Sequence, residues 1–267
     1  MSKEQIFNYD GNASKGRVTL VGAGPGAVDL LTIRGQRVLA DADVVVYDDL
    51  VNPALLDFCP ESTKRIYVGK RAGVQCMAQE NISDILIQEA QPGRHVVRLK
   101  GGDPLVFGRG GEEMQVLAEA GIACEVVPGV TAAIAAGASA GIPLTHRDHA
   151  SAVVFVTGHE CAGKIDSHSH VDWAALAKTG ATLCIYMGVR RLPDIATALQ
   201  NGGLAGTTPV AVVANATLPE QSVHLTTLMA APTLSTTLQG QPSLIIVGEV
   251  VRWAELQQKM QSLQLAG

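Results

Sequence analysis

The chain has 267 residues, of which 47% are hydrophobic, 17% charged and 4% aromatic. That apolar share can build sizeable cores and excludes intrinsic disorder, and at roughly 150 residues per domain the length suits one large domain or two small ones. Twenty lysines and arginines against 25 acids leave a net charge of −5. With no basic tract the chain is not built to neutralise nucleic-acid phosphates, although a locally basic pocket for an acidic small molecule stays open. The polar start MSKEQIFNYDGNASKGR has no apolar signal core, and no stretch reaches the about 20 apolar residues of a membrane span. The expectation is a cytoplasmic protein with no membrane partner. Its five cysteines (Cys59, Cys76, Cys124, Cys161, Cys184) contain no close pair, which fits reduced thiols rather than a disulfide framework or zinc knuckle.

Residues 1–16 read as a flexible N-terminal tail. From Val18 onward, short β-branched runs alternate with helical stretches: VTLVGAG, DVVVYDD from Asp43, KRIYVGK from Lys64, HVVRLKGG from His95 and CEVVPG from Cys124. Helices are expected over Leu30–Ala40, Asn81–Ala90 and Glu112–Ala120. Few aromatics and short apolar strands separated by helices mean βαβ units and a largely parallel sheet, with glycine-rich turns collected at the strands' C-terminal rim. The Gly- and Ala-rich run Pro128–Thr145 is read as a close-packed helix at a domain junction. This makes 17–129 an N-terminal α/β domain and 130–267 a C-terminal one. The second half supplies SAVVFVTGH from Ser151, ATLCIYMG from Ala181, PVAVVANAT from Pro209, SVHLTTL from Ser222 and PSLIIVGEVV from Pro242. Helices are expected at Trp173–Lys178, Arg191–Gln200 and Trp253–Leu263. Ser222–Leu228 and Leu244–Val251 read as antiparallel neighbours in a mixed sheet.

Three strand-to-turn clusters carry the chemistry. Gly22-Ala23-Gly24-Pro25-Gly26 resembles a dinucleotide loop, but its GxGxG spacing and the missing N–H of Pro25 suit a pyrophosphate poorly. A tight structural turn explains it equally well. The run from Leu99 to Glu113 weaves Asp103, Phe107, Arg109, Glu112 and Glu113 through glycines, more chemistry than a plain loop needs. Asp103 suits a ligand hydroxyl or ammonium, Arg109 a carboxylate, and both glutamates also fit the first turn of a helix. In Val127–Ala132, Thr131 doubles as a helix cap. The segment His159–His170 holds His159, Cys161, His168 and His170, yet its Gly and Ser content marks a surface loop, and no metal is expected.

The ordered set VTLVGAGPG, VVVYDDLV, VGKRAG, LKGGDPLVFGRGGEE, VVPGVTAAIAAGASAGIPLTHR, VTGH, YMG and PSLIIVGEVV resembles the uroporphyrinogen-III C-methyltransferases, tetrapyrrole methylases that use S-adenosyl-L-methionine. Only the first sixteen residues and about 160–171 fall outside the resemblance. It implies two α/β domains with the methyl donor in a cleft between them, a homodimer, and methylation alone, without the dehydrogenase–chelatase portion some members carry. By matching motifs, it assigns donor contacts to Pro25, Gly101, Gly102, Asp103, Val106, Thr131, Ala132, Met187 and Ala216. It assigns proton acceptor and donor to Asp48 and Lys70, and tetrapyrrole contacts to Arg109, Glu112 and Arg147. An always-protonated Arg109 suits a carboxylate clamp better than a base. Arg65 and Arg71 are further cations, read first as solvated. Asp49 stands where many members have arginine and Ala216 where others have glycine. The implied reaction methylates uroporphyrinogen III at positions two and seven, through precorrin-1 to precorrin-2. The alternatives are another precorrin methyltransferase of this fold and, in a different class, a nicotinamide-dependent oxidoreductase using GAGPG.

Overall fold

The computed structural model describes residues 16–69, 79–159, 171–254 and 256. The expected flexible tail lies outside these except for Gly16, whose N–H donates to the Ala90 carbonyl at 3.0 Å and so belongs to the fold. Two compact units divide the chain, Met1–Thr131 and Ala132–Gly267.

The first unit runs β1 (Arg17–Gly22), α1 (Ile33–Ala40), β2 (Val44–Tyr47), β3 (Lys64–Tyr67), α2 (Gln79–Ala90), β4 (His95–Lys100), α3 (Gly110–Glu119) and β5 (Ala123–Val127). Its sheet has the order β3-β2-β4-β1-β5 with every pairing parallel. The alternation of strand residues divides the core in two. Val21, Val45, Val97 and Leu99 pack with Leu39 of α1 on one face. On the other, Val18, Leu20, Val44 and Val96 meet Leu86 of α2 and Leu117 of α3. A leucine buried this completely contributes about 1.5–3 kcal/mol, and these strands, covered on both sides, read as unbroken apolar runs for that reason.

Differences from expectation have local causes. The stretch expected as one helix over Leu30–Ala40 is a 3-10 turn, Val28–Leu30, followed by α1. Thr32 restarts the helix because its Oγ1 accepts the Gly35 N–H at 3.0 Å. An unforeseen 3-10 helix, Pro53–Phe58, follows Asn52, whose side chain accepts the Ala54 N–H, with proline fitting the first helical position.

The second unit comprises α4 (Ala132–Ser139), β6 (Val153–Thr157), α5 (Trp173–Ala177), β7 (Thr182–Tyr186), α6 (Leu192–Asn201), β8 (Pro209–Ala214), β9 (Ser222–Thr227), α7 (Leu234–Thr237) and β10 (Ser243–Val247). Its sheet order is β6-β7-β10-β8-β9. The β6–β7 pair is parallel, while β10 runs antiparallel to both β7 and β8, and β9 to β8. The sheet is mixed, but the two strands expected to be neighbours are not: β8 separates β9 from β10. The last strand also stops at Val247, because Gly248 turns at φ 145° into a 3-10 helix, Glu249–Val251. Most of the expected terminal helix Trp253–Leu263 lies outside the described residues. Among those described, no helix is long and apolar enough to cross a membrane.

Candidate functional site

In the first unit all five strands end at one rim. The chain leaves β1 toward β2 over the α1 face and leaves β4 toward β5 over the α3 face, in opposite directions across the sheet. Adjacent strands whose connections diverge open a crevice at their carboxyl ends, where open α/β sheets bind ligands. The glycine clusters lie there. The Gly24 N–H donates to the Gly102 carbonyl at 3.2 Å and the Gly102 N–H to Gly24 at 2.7 Å, while the Ala23 N–H donates to Lys100. Gly24 and Gly102 both take positive φ, 76° and 67°. Donors a dinucleotide pyrophosphate would need are thus spent within the protein, and the next element is a 3-10 turn rather than a helix N-terminus. Both facts oppose the oxidoreductase reading.

Gly22 and Gly129 are glycines for a different reason. A Cβ on Gly129 would lie 2.2 Å from the Gly102 carbonyl oxygen and 2.7 Å from Gly22 Cα, so three strand ends meet backbone to backbone. Asp103 holds them there: its Oδ1 accepts the Leu105 N–H at 2.9 Å and its Oδ2 the Gly129 N–H at 3.0 Å. Its backbone and remaining lone pairs are what it can offer a ligand. Gly101 and Gly102 are half-buried and Pro25 likewise, leaving accessible main chain at the crevice.

The loop from Asp103 curls back so that the Gly110 N–H reaches the Pro104 carbonyl at 3.0 Å. Phe107 and Arg109 sit at φ 55° and 58°, a region bulky side chains rarely occupy. The strain presents them outward, with Leu105 56% and Phe107 41% exposed, beside Leu50 on the neighbouring strand end at 60%. Val106 is half-buried in the same loop. Arg109 and Glu112 are brought together as a bidentate pair, Nε to Oε1 at 2.9 Å and Nη2 to Oε2 at 2.6 Å, and the Arg109 hydrogen bond holds the Glu112 carboxyl below its usual range. Because both side chains are more than half exposed, the pair is worth about 0–1 kcal/mol.

Asp48 follows β2 and is 26% exposed. Its Oδ2 accepts from Arg98 Nη2 at 2.7 Å, and its Oδ1 accepts the Leu50 N–H at 3.2 Å. Arg98 lies on β4, every residue of which is buried, and its Nε reaches Glu113 Oε1 at 3.4 Å. Lys100 Nζ donates to that same oxygen at 2.9 Å. Burial, and then Arg98, lower the Lys100 pKa, opposed by Glu113 and Asp48. This four-residue network was not anticipated. The available signal was two cations spaced two apart in a strand flanked by apolar runs, which places both on one buried face. Asp49 accepts a hydrogen bond from the Tyr67 hydroxyl. Arg65 is exposed and donates to the Leu56 carbonyl.

In the second unit, β6, β7 and β8 point their C-terminal ends the same way. Met187 follows β7 at φ 53° and is 53% exposed, and half-buried Ala216 follows β8 between Asn215 and Thr217 at φ 50° and 70°. Ala132 opens α4, whose next N–H, at Ala133, donates to the Tyr186 hydroxyl at 3.1 Å and fixes the helix start against the end of β7. Thr131, which precedes it, is buried. Arg147 is exposed in a turn closed by the His146–Ala150 bridge. Lys70, Arg71 and residues 160–170 lie outside the described residues. Among those described, no cluster of His, Cys, Asp and Glu could hold a metal ion.

The chain as a whole resembles known proteins. The family model "Tetrapyrrole (Corrin/Porphyrin) Methylases" matches residues 17–232. A siroheme synthase of Baumannia cicadellinicola is 49% identical over 251 residues, 94% of this chain and 53% of its own length. The chain therefore spans about half the length of such curated relatives. The crystal structure of uroporphyrin-III C-methyl transferase from Thermus thermophilus complexed with S-adenyl homocysteine is 39% identical, with a TM-score of 0.74 over 89% of this chain and 99% of that one. A cobalt precorrin-4 methyltransferase structure is 29% identical, at a TM-score of 0.78 over 88% and 95%. With the family model matching residues 17–232 of its 267, the chain belongs to the tetrapyrrole methylase family.

Proposed function

We propose that this chain methylates uroporphyrinogen III at positions two and seven, giving precorrin-2 through precorrin-1 and two S-adenosylhomocysteines. One observation carries the reading: a carboxylate, Asp48, is held by the buried Arg98 at a rim that also offers glycine backbone and exposed apolar side chains. S-adenosyl-L-methionine, when bound, supplies an electrophilic methyl group on a sulfonium sulfur. Its donor set would be Pro25, Gly101, Gly102, Asp103, Val106, Thr131, Ala132, Met187 and Ala216. These are small or weakly polar apart from one carboxylate, which suits a cationic ligand whose charge is discharged in the transition state. Alignment of the reacting atoms is then the main contribution, up to about 7–11 kcal/mol in ideal cases.

An electron-rich pyrrole carbon needs no protein nucleophile. Once methylated the ring is cationic, and a C–H bond must give its electron pair back to the ring while the proton leaves. Asp48 is the acceptor we assign, with Lys70 as the proton donor. Arg109 and Arg147 would hold the acetate and propionate groups, a local need for cations that a chain of net charge −5 can meet, and Glu112 would contact the tetrapyrrole beside Arg109. The identity of 39% with a structure complexed with S-adenyl homocysteine supports the donor. A homodimer and a cytoplasmic setting complete the reading.

The test is incubation with uroporphyrinogen III and S-adenosyl-L-methionine, following the precorrin-2 chromophore and S-adenosylhomocysteine release. Absence of both would refute it, and turnover of a later precorrin alone would favour the other methyltransferase reading. Asp48→Asn addresses the base: an undiminished methylation rate removes Asp48 from that role.

A further inference from the structure

We propose that Arg98 is a positioning residue for methylation, a buried guanidinium that fixes the Asp48 carboxylate at the rim in the orientation that accepts the ring proton. The proposal rests on the reading of Asp48 as proton acceptor.

The geometry supports it at every nitrogen. Nε faces Glu113 Oε1 at 3.4 Å, Nη1 donates to the carbonyls of Leu99 at 3.0 Å and Val46 at 3.4 Å, and Nη2 alone turns to Asp48, at 2.7 Å. A planar fork held by three contacts at two of its nitrogens has little rotational freedom left, so the contact of the third nitrogen is directional. The partner register explains the reach. Val46 pairs with Arg98 in the parallel β2–β4 ladder, so Asp48, two residues on, emerges on the same face just above the guanidinium. Glu113 is held in turn, because Lys100 donates to the same oxygen that faces Arg98. The side chains of Arg98, Lys100 and Glu113 are 3%, 6% and 0% exposed, against 26% for Asp48. Three residues sealed from solvent thus support the one that meets it.

A double-mutant cycle on the full chain tests this. Arg98→Met, Arg98→Lys, Asp48→Asn and Asp48→Asn/Arg98→Met are compared for kcat and KM with uroporphyrinogen III, for S-adenosylhomocysteine binding by calorimetry, and for thermal melting. A misplacement of about 1 Å costs on the order of 100-fold, so Arg98→Met should lower kcat roughly 10- to 100-fold while KM and the S-adenosylhomocysteine Kd stay within about threefold. Arg98→Lys should recover part of the rate. In the Asp48→Asn background, Arg98→Met should change kcat by less than about twofold, because its effect runs through the missing carboxylate.

Additive losses, or a parent-like kcat in Arg98→Met, overturn the proposal. If Asp48→Asn loses activity but Arg98→Met does not, the positioning role fails while the base reading stands. If Asp48→Asn keeps the parent rate, the base reading fails and takes the proposal with it. Should Arg98→Met not fold, Arg98→Lys decides: a kcat reduced about three- to tenfold with melting close to the parent supports the role, and a parent kcat overturns it.

Discussion

Replacing Gly129 with alanine tests the claim that strand ends β1, β4 and β5 meet backbone to backbone. The new Cβ would stand 2.2 Å from the Gly102 carbonyl oxygen and 2.7 Å from Gly22 Cα, where ordinary contact begins at 3.4 Å. About 1.2 Å must therefore be opened against main chain, which cannot rotate away as a flexible side chain would. Overpacking of this kind costs about 1–3 kcal/mol. The shift also pulls the Gly129 N–H from Asp103 Oδ2, a charge-assisted bond worth about 1.5–3 kcal/mol. Together these predict a loss of roughly 3–5 kcal/mol, a fall in melting temperature of about 10–20 °C for a unit of this size. Weakened S-adenosylhomocysteine binding should accompany it, because Gly101–Asp103 must move. Gly111→Ala is the matched control: no heavy atom lies within 4 Å of its added Cβ, and alanine in a helix should stabilise by about 0.5–1 kcal/mol. Melting by circular dichroism and titration calorimetry read both variants. A Gly129→Ala protein that melts within about 2 °C of the parent and binds S-adenosylhomocysteine unchanged would refute the packing argument.

Buried His95, bonded through Nε2 to the Thr19 hydroxyl at 2.9 Å, is held below its ordinary pKa of 6.5 by burial and then by Arg17. The unfolded chain therefore binds the proton more readily, so stability is fully present above that value and declines as pH falls below it. Urea midpoints at about pH 7.5 and 5.5 should differ, and an undiminished difference in His95→Gln would assign the effect elsewhere. Burial pushes the Cys124 thiol up to about 11 and Cys184 up to about 12. Iodoacetamide at about pH 8 should thus leave Cys184 unmodified until urea is added, and rapid labelling of the folded chain would contradict this. Arg109→Ala should shift melting by less than about 2 °C, since its partner is exposed, yet raise KM for uroporphyrinogen III about tenfold. An unchanged KM would remove the clamp.

Strand ends were legible because β-branched runs stop abruptly at glycine, and the crossover pattern followed from the helices between them. What the sequence left hidden was partner choice. Nothing local in Ser222–Thr227 or Ser243–Val247 names Pro209–Ala214 as the strand between them, since a strand's composition does not specify its partner. Short 3-10 pieces such as Pro53–Phe58 escaped because six residues show no helical period. At the site, the adjacent Glu112 and Glu113 invite one explanation, a favourable helix dipole. A rotation of about 100° between adjacent helix positions separates their fates: Glu112 points to solvent and Arg109, while Glu113 is sealed against Arg98 and Lys100.

That sealed network is a poor way to build stability. Taking an ion from water costs several kcal/mol, and attraction between partners repays this only with excellent geometry, so substituting well-packed apolar residues for a buried ionic group is often neutral or stabilising by about 1–4 kcal/mol. Removing a single partner instead strands a buried charge, at about 3–5 kcal/mol. Glu113→Leu alone should therefore lower the melting temperature sharply, because it removes the carboxylate that Lys100 donates to and leaves that buried ammonium beside Arg98, whose remaining counter-charge is Asp48. The combined Arg98→Met, Lys100→Met and Glu113→Leu protein should melt at or above the parent, Asp48 being open enough to solvate its own charge. Its kcat should nonetheless fall as far as that of Arg98→Met. Stability and turnover would then separate in one molecule, which follows only if the charges are kept for Asp48 and not for the fold. A triple variant that melts as low as Glu113→Leu, or one that turns over at the parent rate, breaks that reasoning.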